Sequence, residues 1–95
     1  MKKGITLASR IRINEDVVFH DLQGEIVLLN LKTGVYFGLD PVGTRIWHLT
    51  HEGHPLQKVL GSLVEEYEVT EAQGAHDLLG FVAQLRENQL VEIYD

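Results

Sequence analysis

The sequence contains no cysteine and only two prolines among its 95 residues. A chain without thiols forms no disulfide, and it offers neither a thiolate nucleophile nor a thiolate metal site. Basic residues are also scarce, because eight Lys and Arg stand against fourteen Asp and Glu, and the formal net charge is −6. Affinity for nucleic acid depends on clustered Lys and Arg, so this balance argues against a nucleic-acid partner.

Long apolar runs are missing as well. The chain has no apolar run of about 18 residues, the length typical of a membrane span, and residues 5–13 are too polar for the core of a signal peptide. We therefore expect a cytoplasmic protein that does not interact with a membrane. The length allows one domain with one hydrophobic core, which we assign to residues 1–95, with a flexible arm at 1–15.

Three runs rich in Val, Ile, Leu, Tyr and Phe predict an antiparallel meander. The gaps between them are short and contain Gly, which is typical of hairpins. Because strands that are adjacent in sequence usually pair, we expect the second run at the centre of the sheet and the third at an edge. The runs occupy residues 17–22, 25–30 and 35–39.

The predicted edge strand, Val35–Leu39, carries neither Lys nor Pro, the residues that commonly protect an edge. Its unpaired N–H and C=O groups could pair with another extended chain. By alternation, every second residue from Val35 should face inward, whereas Tyr36 and Gly38 should face outward. The alternative is an edge covered by the N-terminal arm or by a second copy, so the sequence leaves a monomer and a dimer open.

Three helices are predicted after the meander, and two of them begin at recognisable signals. Asp40 can accept a hydrogen bond from first-turn amides, and Pro41 suits the first helical position. Thr70 and Gln73 have the spacing of a capping box, in which each side chain bonds the other residue's backbone N–H. The second helix follows Pro55 and has a clean amphipathic pattern. We expect helices at about 41–51, 55–67 and 70–88, followed by a short strand at 90–94.

The first helix has a predicted buried stripe of Val42, Ile46 and Leu49. Trp47 lies well off this stripe. It is therefore expected either to pack against a neighbouring element or to line a groove.

The third helix has an apolar side that covers roughly half of its circumference, whereas one core-facing stripe needs little more than about 100°. One interpretation is that the small domain encloses this helix on two sides. The other is that one flank faces a groove, with Phe81 and Leu85 as the first candidates.

The histidines are the chain's most visible chemical feature, since His48, His51 and His54 are spaced by three residues. Zinc needs about three or four converging ligands, and Gly53 and Pro55 break the helix before His54, so a solvated surface is the favoured interpretation. No nucleophile is paired with a base at a telling spacing, and no glycine-rich phosphate loop is present. We therefore expect a binding protein without catalytic residues, metal or cofactor.

The segment Gly34–Gly53, continued by the two helices that follow it, resembles the PqqD family. This family comprises the pyrroloquinoline-quinone biosynthesis D proteins and their relatives, the precursor-peptide recognition elements of ribosomal peptide natural-product pathways. The resemblance extends over about residues 16–93. Asp40 and Pro41 stand where many relatives have Asn and Glu, but both pairs start a helix. The residues that carry the resemblance are Gly34, Leu39, Ile46, Trp47, Leu49, Gly53 and Leu85.

The resemblance implies an α+β fold, a winged helix-turn-helix with a three-stranded antiparallel sheet packed on three helices. It also implies a non-catalytic adaptor that binds the leader segment of a ribosomally made precursor peptide. The leader adds as a strand to the third strand and lies in a groove bounded by the third helix. By position, this implies a peptide-binding site made of Val35, Tyr36, Phe37, Gly38, Leu78, Phe81, Val82, Leu85 and Arg86.

The partner enzyme has two interpretations within the family. A short stand-alone domain is most similar to the recognition protein of lasso-peptide clusters, which delivers the precursor to a separate leader peptidase or another modifying enzyme. The alternative is the quinone-cofactor pathway, in which the partner is a radical enzyme. A winged-helix DNA-binding protein is a third possibility, which the acidic, Gln-rich face of the third helix opposes.

Overall fold

The computed structural model describes residues 4–94, which form five strands and three helices. The strands build two antiparallel sheets, one of two strands and one of three. Along the chain, the three helices follow the last strand of the larger sheet and precede the final strand of the smaller one. In chain order the elements are β1 (Arg10–Ile13), β2 (Val17–Leu22), β3 (Glu25–Asn30), β4 (Tyr36–Gly38), α1 (Pro41–His51), α2 (Leu56–Tyr67), α3 (Glu71–Glu87) and β5 (Val91–Tyr94).

The predicted meander is confirmed, with the strand order β2-β3-β4. Its last strand has only three residues, two fewer than the predicted run. The buried Asn30 organises the turn between β3 and β4, since its Oδ1 accepts hydrogen bonds from the backbone N–H groups of Lys32 (2.9 Å) and Thr33 (3.1 Å). Its Nδ2 donates to the carbonyl of Gln89 (2.8 Å), which ties this turn to the corner between α3 and β5.

The smaller sheet joins the N-terminal segment to the last strand, because β1 pairs antiparallel with β5 from Arg10 opposite Tyr94 to Ile13 opposite Val91. Ile11 is buried in the core, so residues 10–13 are not the flexible arm that we expected. The end of that arm at residues 1–3 lies outside the described part of the chain. Within residues 4–94, the N-terminal segment covers β5 and leaves β4 uncovered.

Helix α1 begins at the predicted signal, with the Asp40 Oδ1 accepting from the Gly43 N–H (2.7 Å). The predicted stripe is wrong at Val42, whose side chain is 44% exposed. Trp47 is instead fully buried, and its ring lies edge-on to Phe19 of β2, with 5.6 Å between centroids. The buried face of α1 also includes Gly43 and Thr44. An apolar pattern does not reveal these two residues, so the predicted stripe is rotated away from the face that is buried.

Thr44 joins α1 to the sheet, since its Oγ1 accepts a hydrogen bond from the backbone N–H of Ile26 (2.9 Å). This bond satisfies a buried polar group on each element and fixes α1 against β3. The position of α1 matters for the site, because the chain passes directly from β4 into α1.

The capping box of α3 is only half formed. The Thr70 Oγ1 accepts from the Gln73 N–H (3.1 Å) as predicted, but the Gln73 side chain donates to the Asp77 carboxylate (2.9 Å) instead of returning to Thr70. Close packing of α3 on α2 occurs at Gly74, where an added Cβ would lie 2.9 Å from the Leu60 Cδ1. None of the helices in residues 4–94 is long and apolar enough to cross a membrane.

Candidate functional site

The most distinctive surface is the outer edge of β4. Among residues 4–94, β4 pairs with β3 alone, and its other edge is free. The predicted alternation is confirmed, since Phe37 is half-buried on the inner side while Tyr36, at 67% exposure, faces outward. The free edge therefore belongs to a strand whose inner side chain already points toward the helices.

The hydrogen bonds of β4 show which backbone groups are free. The Leu39 N–H donates to the carbonyl of Ile26 (2.9 Å), and the Asn30 N–H donates to the carbonyl of Val35 (2.9 Å). In an antiparallel ladder, bonded and non-bonded pairs alternate. Phe37, halfway between Val35 and Leu39, therefore directs its backbone N–H and C=O to β3 as well.

It follows that Tyr36 and Gly38 direct their backbone N–H and C=O groups away from the sheet. An antiparallel partner can pair with both residues, and this spacing matches the two-residue repeat of a strand. Gly38 has no heavy atom of the described residues within 4 Å of the position of a Cβ, so the outer face of β4 is open there.

A cleft of about 270 Å³ lies between β4 and α3, directly inside the free edge. We call it the β4–α3 groove. Phe37 and Phe81 are half-buried in it, so its walls are aromatic, whereas Asp40 and Gln84 give it a polar rim. The residues that line it are Phe37, Gly38, Leu39, Asp40, Phe81 and Gln84.

The structure divides the site residues that we predicted on α3. Phe81 lines the β4–α3 groove, and Arg86 is half-buried outside its lining. Leu78, Val82 and Leu85 are fully buried and belong to the core, so they fix α3 in position. Their direct contact with a bound chain stays a prediction.

Two groove residues were missed by sequence reasoning. Gln84 lies three residues after Phe81, a helical spacing that places both on one flank, so its position could have been found from Phe81. Asp40 was identified only as a helix cap. Its carboxylate does cap α1, and the same side chain stands at the mouth of the groove.

The groove and its surroundings carry little positive charge. Arg45, the basic residue of α1, is engaged by Glu66 of α2, with 2.8 Å between its Nη2 and the carboxylate Oε1. The hydrogen bond to Glu66 raises the pKa of Arg45 above its ordinary value. The exposed side of α3 presents Asp77, Gln84 and Glu87, and the two carboxylates would repel phosphate groups.

The histidines do not converge on one point. His51 packs edge-on to Phe19 with 5.6 Å between ring centroids, and His54 lies 3.2 Å from a carboxylate oxygen of Glu52. His48 and His51 are 6.5 Å apart between ring centroids. Within the described residues, no group of three His, Cys, Asp or Glu side chains is arranged to hold a metal ion.

A family model described as coenzyme PQQ synthesis protein D (PqqD) matches residues 25–91, well over half of the chain. The chain belongs to the PqqD family. The matched segment begins with β3 and ends at the first residue of β5, so it contains both β4 and α3. Every residue that lines the β4–α3 groove therefore lies inside the part that this PqqD-family chain shares with its relatives.

Two solved structures are similar to this PqqD-family chain. One, described as TbiB1 in complex with the TbiA(beta) leader peptide, is 40% identical with a TM-score of 0.82, and the match covers 85% of this chain and 94% of that one. The other is lasso peptide synthetase B1 complexed with the leader peptide, 25% identical with a TM-score of 0.82, covering 87% and 98%. No curated protein matched the chain.

These likenesses confirm the predicted fold class, an α+β arrangement of a three-stranded antiparallel sheet and three helices. The arrangement is compatible with a winged helix-turn-helix. The two-stranded β1–β5 sheet is an addition to the predicted outline, and it lies outside the groove.

Proposed function

We propose that this protein is a non-catalytic adaptor that binds the leader segment of a ribosomally made precursor peptide. The leader adds as a strand to the free edge of β4 and places alternate side chains in the β4–α3 groove. The observation that carries the proposal is the free edge itself, where Tyr36 and Gly38 turn their backbone groups outward beside an aromatic cleft. Strand addition draws affinity from the main chain and selectivity from such clefts.

The solved relatives support this occupant. Both are complexes with a leader peptide, and one is 40% identical over nearly the whole of its own length. An unpaired edge would accept many extended chains, so the likeness to leader-bound proteins is what favours a leader over other peptides.

The modifying step belongs to a separate enzyme. The relative described as lasso peptide synthetase B1 favours a lasso-peptide pathway, in which the adaptor delivers the precursor to a separate leader peptidase. The quinone-cofactor pathway is the alternative that the PqqD family description favours. The residues that line the groove include no pairing of a nucleophile with a base, and the adaptor contributes binding and orientation. We place it in the cytoplasm and assign it no cofactor.

The proposal is tested by fluorescence anisotropy with labelled leader peptides, beginning with the TbiA(beta) leader. We expect a Kd of about 1 μM or tighter, which corresponds to about −8 kcal/mol. A scan that places proline at successive leader positions should weaken binding at every second position, because proline removes a donor from the ladder. Equal affinity for every proline variant would contradict strand addition.

A further inference from the structure

A second cleft of about 310 Å³ lies where the three helices meet, and we call it the three-helix cleft. Its floor is apolar, with Ile46 and Leu63 buried in it. Its lip is exposed, since Val42 and Tyr67 each leave about two-fifths of their surface to solvent. The residues that line it are Val42, Ile46, Leu63, Tyr67, Val69, Gly74 and Asp77.

The three-helix cleft shares a wall with the β4–α3 groove. Gly74 and Asp77 line the cleft, and Phe81 and Gln84 line the groove. These positions follow the spacing i, i+3, i+7 and i+10, which a helix places on one face. One stripe of α3 therefore runs from the groove into the cleft.

The first turn of α1 lies at the boundary between the two. A Cβ added to Gly43 would lie 3.2 Å from the Phe81 Cε1 and 3.1 Å from the Asp40 Oδ1, so the Phe81 ring rests almost on the α1 backbone. Asp40 lines the groove on one side of Gly43, and Val42 lines the cleft on the other. A chain that leaves the groove along α3 meets the cleft next.

The distance between the two clefts fits a short step of extended chain. The midpoints of their α3 walls are seven residues apart, which corresponds to about 10 Å along a helix at about 1.5 Å per residue. An extended chain advances about 3.3 Å per residue, so about three residues bridge this distance.

The rim that this chain would cross is acidic. Asp40 and Asp77 stand at the mouths of the groove and the cleft, and neither forms an ion pair with a basic side chain in residues 4–94. Among the described residues, the Asp77 carboxylate accepts from the neutral Gln73 amide, and the Asp40 carboxylate accepts from the backbone N–H of Gly43. A Lys or Arg beside the second apolar residue would therefore find a carboxylate within reach.

We propose that the three-helix cleft is a second anchor site for the same peptide, one that takes an apolar side chain about three residues beyond the β4-paired segment, next to a Lys or Arg facing Asp77. This inference rests on the proposed function, since the peptide is the strand bound at β4. The occupant is the adjoining stretch of that strand because the cleft continues the groove along one helix face.

The test runs the same peptide selection in parallel on two proteins. A library of random 16-residue peptides is displayed and selected on the purified full chain, and in parallel on the Val42→Asp variant, which places a charge on the cleft lip. Peptides enriched on the parent should share two apolar positions about three residues apart, with a basic residue beside one of them. Peptides enriched on Val42→Asp should keep the first apolar position and lose the second.

Affinities of one enriched peptide then give the size of the effect. Val42→Asp should weaken binding about tenfold, since part of an apolar side chain loses its buried site. Val18→Asp is the matched control, because Val18 is the same residue type at 41% exposure on β2, and it should leave the affinity unchanged. Asp77→Lys should weaken the same peptide, and replacement of the peptide's basic residue by Glu should restore it.

The outcomes separate the two proposals. If Tyr36→Pro abolishes binding while Val42→Asp and Asp77→Lys leave it unchanged, the second anchor site is wrong and strand addition at β4 stands. If Val42→Asp weakens binding and Tyr36→Pro does not, the strand-addition model is wrong. A dimer in light scattering that Val42→Asp converts to a monomer would identify a second copy as the occupant, and a selection that enriches no peptide would overturn both proposals.

Discussion

The three-stranded sheet has two free edges in the described part of the chain, and they differ in what lies beside them. β2 is the longer, with six residues against three for β4. On the inner side of β2, Phe19 is already packed edge-on to Trp47 and His51. On the inner side of β4, Phe37 borders a cleft that no part of residues 4–94 fills. A free edge offers backbone bonds to any strand, so the adjacent groove is the feature that distinguishes β4 from β2 and favours β4 as the proposed binding edge.

Replacement of Trp47 should remove the packing that fills the inner side of β2, and we expect it to change stability more than any other variant. Trp47→Ala removes a fully buried side chain under β2 and should lower the free energy of unfolding by about 4 kcal/mol. Chemical denaturation measures the change. A loss below about 1 kcal/mol would contradict the view that Trp47 closes the β2 side.

Proline in β4 should test the free edge directly. Tyr36→Pro removes one outward N–H, so we expect at least about tenfold weaker binding of a leader peptide with little loss of stability. Tyr36→Thr is the control, because it removes the ring and keeps the N–H. If both variants bind alike, the backbone of Tyr36 takes no part in binding.

A pair of aromatic truncations should sharpen the comparison between the two inner sides. Phe81→Ala removes a groove wall and should weaken peptide binding about tenfold, measured by anisotropy. Phe19→Ala removes the corresponding ring at the other edge and should change stability but not affinity. Equal losses of affinity would place the peptide at neither edge alone.

The turn between β2 and β3 should give the smallest effect. Gln23 and Gly24 both have positive φ values, 57° and 88°, as a two-residue hairpin turn requires. Asn adopts this conformation more readily than Gln, so Gln23→Asn should raise the free energy of unfolding by about 0.5 kcal/mol. Peptide affinity should not change, because this turn contributes no residue to the lining of the β4–α3 groove; a change would show that the turn and the groove are coupled.

Local patterns in the sequence predicted the elements well where the pattern and the packing agree. The meander, the start of α1 at Asp40 and the edge position of β4 all follow from short-range signals, and the structure confirms each of them. The predicted edge residues, Tyr36 and Gly38, are also those whose backbone groups face outward.

Tertiary packing determines the features of the structure that local sequence patterns do not predict. The pairing of β1 with β5 joins residues that are far apart in sequence, such as Arg12 and Glu92, which are separated by 80 positions. No local pattern in residues 10–13 predicts this partner strand. The sequence predicts a different buried face for α1, because Gly43 and Thr44 pack inward although they do not belong to an apolar stripe. Local patterns do not separate the groove residue Phe81 from the core residue Leu85, because both lie on one broad apolar arc of α3, and only the position of β4 separates them.

The β1–β5 sheet has a consequence for engineering. Arg10, the first residue of β1, lies directly opposite Tyr94, the last residue of β5, so the start of the first strand and the end of the last strand are neighbours. A unit with adjoining entry and exit can be spliced into a surface loop of a host protein, or rejoined and reopened elsewhere, with little distortion. Insertion at these two neighbouring strand ends would give a host protein a peptide-binding domain.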